Sequence, residues 1–202
     1  MKLYYSSASP YARKVLVTAH EAGLDKRIEL LPASVVPLKP EPTVSKANPL
    51  AKVPTLITDD GTLLYDSPVI CEYLDSVGSA PRLFPSAGPA RWKAIGQQAL
   101  GDGILDATQP RRREVALPQD DGRKAYIELQ QGKVKRALDV LEKEAGTLGE
   151  LKTIGEITIG CALGYLDFRY PNEPWRPGHP RLEAWYAKVV TLPPLAQTVP
   201  VG

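Results

Sequence analysis

The chain has 202 residues, enough to bury a sizeable core in one large or two small domains, and 43% apolar with 24% charged residues is incompatible with wholesale disorder. Lys and Arg number 25 against 23 Asp and Glu, so the net charge is +2 with the signs interleaved, and no electrostatic case arises for nucleic acid or a membrane as partner. Two cysteines, Cys71 and Cys161, and two isolated histidines give no metal-ligand spacing, while the absence of an apolar h-region or of a run of about 18 apolar residues favours a cytoplasmic protein that holds no metal.

Residues 2 to 5 (KLYY) read as a strand, and Ser9-Pro10 then places a capping residue before a proline at the first helical position. Val15, Leu16, Ala19 and Ala22 repeat at helical spacing until Gly23 supplies the stop. Residues 27 to 31 (RIELL) form a second strand. A stretch carrying Pro32, Pro37, Pro40, Pro42 and Pro49 follows, which excludes a long regular helix there. Thr55 to Thr58 and Thr62 to Tyr65, joined by Asp59-Asp60-Gly61, make a hairpin. Ser67, read as the N-cap, and Pro68 open a helix with Val69, Ile70, Tyr73, Leu74 and Val77 on one face.

The order β-α-β-α-β-β-α describes a thioredoxin-like α/β domain over 1–77. Residues 78–88 are rich in Gly, Pro and Ser and read as a linker. Beyond them, over 89–202, the pattern is all helical, with segments at 91–108, about 122–145, 154–169 and 180–190. Thr153-Ile154-Gly155-Glu156 reads as a capping box, structural in purpose, with Leu151 near it as a staple. Both cysteines fall inside amphipathic helices and read as small core residues. Arg111-Arg112-Arg113 reads either as a solvated helix end or as a subsite for an acidic substrate.

Three features of the first domain point to a ligand. Val53-Pro54 puts a proline at the start of a strand: trans, it marks an edge; cis, it makes a fixed turn that presents the Val53 N–H and C=O to an extended peptide. Spacing alone favours trans, since cis is the minority form. Asp66-Ser67-Pro68 is a helix start whose N–H groups and positive dipole end attract a carboxylate, with an acid beside it for an ammonium, although such a start can also be only a cap. Ser9 caps a helix that follows a strand, at the sheet edge where α/β ligands bind.

The stretches SASPYARKV (7–15), NPLAKVPTL (48–56), DSPVICEYL (66–74), TIGEI (153–157) and HPRLEAWYAKV followed by LPPLAQTVP occur in the order of the glutathione S-transferase family, which the chain resembles over nearly its whole length. GDGILDA, ALDVLE and GYLDFR are most similar to its bacterial YibF-type branch. The resemblance implies a thioredoxin-like domain that binds glutathione as co-substrate, an all-α C-terminal domain supplying a second-substrate pocket, and a homodimer. It also implies a cis Val53-Pro54 bond. Residue by residue, Ser9 falls at the thiol, the Val53 backbone before Pro54 at the cysteinyl part, Asp66 and Ser67 at the γ-glutamyl end, and Lys52 near the glycyl carboxylate. Tyr11, Ile104 and Thr108 fall at the second-substrate pocket.

The chemistry implied is conjugation of glutathione to a small hydrophobic electrophile, a detoxification reaction. A free thiol of pKa about 8.5 is only a few per cent thiolate at neutral pH. A hydroxyl donor at a helix N-terminus would lower that pKa by roughly one to two units. Alternatives are glutathione-dependent peroxide or disulfide reduction, and a binding module that has lost the chemistry. Two departures stand out: Ala51 occupies a position where the family usually has glycine, and no cysteine lies at or beside Ser9, which disfavours thiol transfer through a protein sulfur. Tyr4, Tyr5 and Tyr11 are rival hydroxyls, one of the strand pair being expected in the core.

Overall fold

The computed structural model describes residues 1–34 and 41–202. Pro37 and Pro40 of the proline-rich stretch lie outside the described residues. The chain divides into two compact units, Met1–Arg91 together with Pro193–Gly202, and Trp92–Leu192.

In the first unit, β1 (Lys2–Tyr5), α1 (Pro10–Glu21), β2 (Glu29–Pro32), α2 (Pro42–Ala47), β3 (Thr55–Ile57), β4 (Leu63–Leu64) and α3 (Ser67–Val77) follow the expected order. The sheet order is β2-β1-β3-β4, with β1 parallel to β2 and antiparallel to β3, and β3 antiparallel to β4. β2 starts later than the periodicity suggests because Asp25–Arg27 wind into a 3-10 turn. Pro32 is tolerated in β2 because that strand is an edge. The α2 helix is only six residues long, beginning at Pro42.

Leu3 and Leu56, paired across β1 and β3, are fully buried beside Val15, Ile70, Cys71 and Leu74 from α1 and α3. Neither Tyr4 nor Tyr5 joins them: both are half-buried, and Leu3 is the core residue of its strand. A short helix, α8 (Pro193–Ala196), packs on α1. The buried Arg13 holds it there, donating from Nη2 to the Leu195 carbonyl at 2.9 Å and from Nε to Thr198 Oγ1 at 3.3 Å.

The second unit is built on α4 (Gly88–Val115), α5 (Asp121–Glu144), α6 (Ile154–Arg169) and α7 (Pro180–Val189). Every residue of α6 from Ile154 to Leu166 is buried, Cys161 included, which makes it the central helix. Its start is the expected capping box, and the Glu156 carboxylate accepts from the backbone N–H of Gly149, Lys152 and Thr153. Leu151 beside it is 1% exposed and has φ of 58°. Gly155 lets α4 approach closely, since a Cβ there would lie 2.6 Å from Gln97 Cβ and 2.8 Å from the Ala94 carbonyl.

Helix α4 runs seven residues past the expected end at 108, through Pro110, to Val115. A proline inside a helix removes one backbone bond, a cost tertiary contacts can override. Here the turn after Pro110 carries Arg111, buried against Tyr170 and paired with Glu173. The arginine cluster therefore divides: Arg112 and Arg113 are exposed at the helix end, while Arg111 faces inward. Among the described residues, no helix is long and apolar enough to cross a membrane.

Candidate functional site

The strand directions bring the three singled-out features together. β1 ends at Tyr5 and leads to Ser9; β3, running the other way, begins beside it, with Thr55 opposite Tyr4. β4 runs antiparallel to β3 and ends next to the start of β3, so Tyr65, Asp66 and Ser67 leave from the same edge. One sheet edge thus carries the N-terminus of α1, the 53–54 peptide and the N-terminus of α3.

Ser9 is the N-cap of α1, with Pro10 behind it and its Oγ accepting from the Ala12 N–H at 3.2 Å. That bond uses a lone pair and leaves the hydroxyl proton available to a ligand. Ser9 is half-buried, as is Tyr11 in the first turn of the helix. The peptide Val53–Pro54 is cis, as the resemblance implies and against the reading from spacing alone. Lys52 before it is exposed.

At α3 the expected cap moves by one residue. Asp66 is the N-cap and Ser67 the first helical residue, with Pro68 second. The reason is physical: the first turn's N–H groups have no intrahelical partner, so a proline fits at several of its positions and a Ser-Pro pair does not by itself fix the cap. Asp66 is exposed and its carboxylate makes no bond to the helix's own N–H groups; Ser67 is buried. A carboxylate and a helix start therefore still adjoin.

Residues that the sequence reading did not single out hold this edge in place. Asn48, 1% exposed, donates from Nδ2 to the Lys52 carbonyl at 3.2 Å and to Thr55 Oγ1 at 3.0 Å, and its Oδ1 accepts from the Leu50 N–H at 2.9 Å. Thr55 Oγ1 in turn donates to the Lys52 carbonyl at 2.8 Å. One buried amide thus ties the loop 48–52 to the start of β3. Ala51 inside this loop has φ of 50°, in the left-handed region, which accounts for the glycine expected at that position. The only sequence signal was Asn before Pro, a common turn start.

The chain's last residues reach the same edge. The Val201 N–H donates to the Ser7 carbonyl at 3.4 Å, and Ser7 Oγ donates to the Val201 carbonyl at 3.2 Å. This tail belongs to the first unit, so it and the Arg13 anchor flank the segment leading into Ser9.

Ile104 and Thr108 belong to the second unit, each 1% exposed. The Thr108 hydroxyl donates to the Ile104 carbonyl at 2.6 Å, and the Thr108 carbonyl accepts from Tyr170 Oη at 3.1 Å. Among the described residues no group of three His, Cys, Asp or Glu side chains is placed to hold a metal ion.

A thioredoxin-like sheet with two helix starts and a cis-proline at one edge, followed by an all-helical unit, defines the class. Residues 8–77 match the model of the glutathione S-transferase N-terminal domain, and residues 124–188 that of the C-terminal domain. The chain belongs to the glutathione S-transferase family. It is similar to the uncharacterized GST-like protein YibF of Escherichia coli K12, at 34% identity over 99% of this chain and 98% of that protein. It is similar also to a glutathione transferase family member of Pseudomonas fluorescens Pf-5, solved with bound glutathione, at 40% identity, covering 100% and 99% of the two chains, with a TM-score of 0.92. A second structure of a family member from that bacterium holds S-(propanoic acid)-glutathione; identity is 40%, coverage 100% of both chains, and the TM-score 0.89.

Proposed function

We propose that this protein is a glutathione transferase in activity as well as in family, adding the glutathione thiolate to a small hydrophobic electrophile. The observation that carries the reading is the Ser9 hydroxyl at the N-terminus of the twelve-residue α1, on the sheet edge shared with residues 53 and 66–67. Glutathione lies along that edge. The Val53 N–H and C=O pair with its cysteinyl residue, next to Pro54; Asp66 takes the ammonium and the α3 N-terminus at Ser67 the carboxylate of its γ-glutamyl end. Lys52 approaches the glycyl carboxylate.

The thiol gives up its proton to solvent, and the Ser9 O–H donates to the resulting thiolate. Ser9 is never deprotonated. The sulfur attacks the electrophilic carbon to form the C–S bond. With an aryl halide the C–halogen bond breaks and halide departs with its electron pair; with an activated double bond the displaced π pair takes a proton from solvent. The thioether is released as product. Tyr11 contacts the electrophile; Ile104 and Thr108, which the resemblance assigns to the second-substrate pocket, are each 1% exposed inside the second unit and offer a ligand no surface. The conjugate seen in the Pseudomonas fluorescens family member is itself a thioether, the kind of product such an addition leaves, and so supports conjugation over peroxide or disulfide reduction. The reading includes a cytoplasmic homodimer that requires no metal.

The test is kinetic. With an aryl halide, Ser9→Ala lowers kcat/KM by roughly tenfold to a hundredfold, with glutathione affinity changed only a few-fold, and Ser9→Thr restores most of the loss. Equal activity in wild type and Ser9→Ala removes Ser9 from the mechanism. Faster turnover of an organic hydroperoxide or a mixed disulfide than of any electrophile assigns the site to reduction, and no affinity for glutathione makes the protein a binding module of another kind.

A further inference from the structure

The second unit carries a pocket of its own. Its volume of about 310 Å³ is at the lower end of small-molecule sites. Val134 and Leu138 of α5, Leu166 of α6 and Trp175 give it apolar walls. Arg111, 7% exposed, brings a buried guanidinium to it, 4.3 Å over the Tyr170 ring.

Arg111 is incompletely matched. Its Nη2 donates to both carboxylate oxygens of Glu173, at 2.7 and 2.5 Å, while its Nε is buried and meets no acceptor among the described residues. Nε and Nη2 form one edge of the guanidinium fork, the edge that receives a carboxylate with two parallel bonds. Glu173 crowds both oxygens onto a single nitrogen and leaves half of that edge unused. It is also half exposed, and Gln131 Nε2 contacts it from the surface at 3.3 Å.

The neighbouring groups do not supply the missing acceptor. Tyr170 donates its hydroxyl to the Thr108 carbonyl, and burial pushes its phenol up, opposed by the Arg111 charge, so it stays protonated. Lys135, also on the pocket wall, is bound at 2.8 Å to Asp139, whose other oxygen faces His179 Nε2 at 3.1 Å. A buried donor without a partner is rare in native proteins and calls for an explanation.

We propose that this pocket binds a small carboxylate with an aromatic or compact aliphatic body. The carboxylate takes the Nε and Nη2 edge of Arg111 while Glu173 turns out to solvent, and the body lies against Val134, Leu138 and Trp175. The site lies wholly within the second unit and does not depend on the glutathione reading.

Calorimetric titration of the full chain with benzoate tests it, with benzyl alcohol as the uncharged isostere and inorganic phosphate as the bodiless anion. Benzoate binds at one site per chain, at least roughly tenfold more tightly than either control. Saturating glutathione leaves that affinity unchanged. Glu173→Gln, a surface substitution that removes the competing carboxylate, tightens benzoate by roughly three- to tenfold. Val134→Trp, which fills the pocket from a half-buried position, abolishes benzoate binding and leaves glutathione affinity as it was. Arg111→Gln abolishes it too; should that variant not fold, Glu173→Gln and Val134→Trp decide. No benzoate binding in the wild type, equal affinity for benzyl alcohol, competition by glutathione, or weakening by Glu173→Gln would each overturn the proposal.

Discussion

The sheet edge of the first unit and the pocket of the second use different parts of the chain's chemistry. The edge is made largely of main chain: two helix starts and the peptide between residues 53 and 54, with one hydroxyl and one carboxylate added. The pocket is made of side chains from α4, α5, α6 and the segment beyond, around a single guanidinium. A main-chain site requires special residues at fixed local positions, so it leaves short motifs. A side-chain pocket requires only that distant residues meet, so it leaves none.

This contrast predicts how each region breaks. The largest effect belongs to the amide that braces the edge: Asn48→Ala removes three hydrogen bonds around a buried position and leaves the Lys52 carbonyl and Thr55 hydroxyl with fewer partners. A loss of about 2–3 kcal/mol in denaturant unfolding is expected, together with weaker glutathione binding. Unaltered stability would mean that the loop is held by something else. Next, Asp66→Asn is expected to weaken glutathione by roughly tenfold with kcat nearly unchanged, because the exposed carboxylate makes no bond to its own helix and in the proposed binding mode it takes the ligand's ammonium. A fall in kcat alone would remove Asp66 from binding.

A smaller effect, of opposite sign, follows from Ala51. At φ of 50° a Cβ is strained, and Ala51→Gly relieves that strain while adding entropy to the unfolded chain. The net expectation is a gain of up to about 1 kcal/mol in thermal unfolding; a loss would show that the Ala51 methyl contributes packing that outweighs it.

The smallest effect lies in the second unit. Hydrogen bonds from Lys135 and then from His179 hold the Asp139 carboxyl below the usual carboxylate value. A group whose pKa is lower in the folded than in the unfolded chain stabilises above its unfolded value, about 3.9, and loses that contribution as pH falls through the folded one. The Tm difference between wild type and Asp139→Asn therefore shrinks as pH falls below about 4. A difference that grows below about pH 4 would contradict the pairing.

The same contrast explains what could be read from residues alone. Ser9-Pro10, Val53-Pro54 and Asp66-Ser67-Pro68 are local, and all three reach one edge because strand directions in a β-α-β and hairpin arrangement leave little freedom. The thirteen buried residues of α6 were legible as an apolar run, and its capping box as a four-residue pattern. Asn48 was not legible, since its partners become apparent only once the loop folds back on it. Nor was the packing of Pro193–Gly202 with the first unit, which depends on Arg13, some 180 residues away in sequence. The continuation of α4 past Pro110 was hidden for a related reason: local propensity argues for a stop, and Tyr170 and Glu173, 60 residues on, decide otherwise.

The central claim is that the Ser9 hydroxyl, at the start of α1, stabilises a thiolate. Its most direct test is the pKa of the glutathione thiol bound to the protein, read from thiolate absorbance against pH in wild type and Ser9→Ala. The account predicts a bound thiol roughly one to two units below the free value of about 8.5 in the wild type, returning most of the way in the variant. The same pKa in both proteins would contradict it.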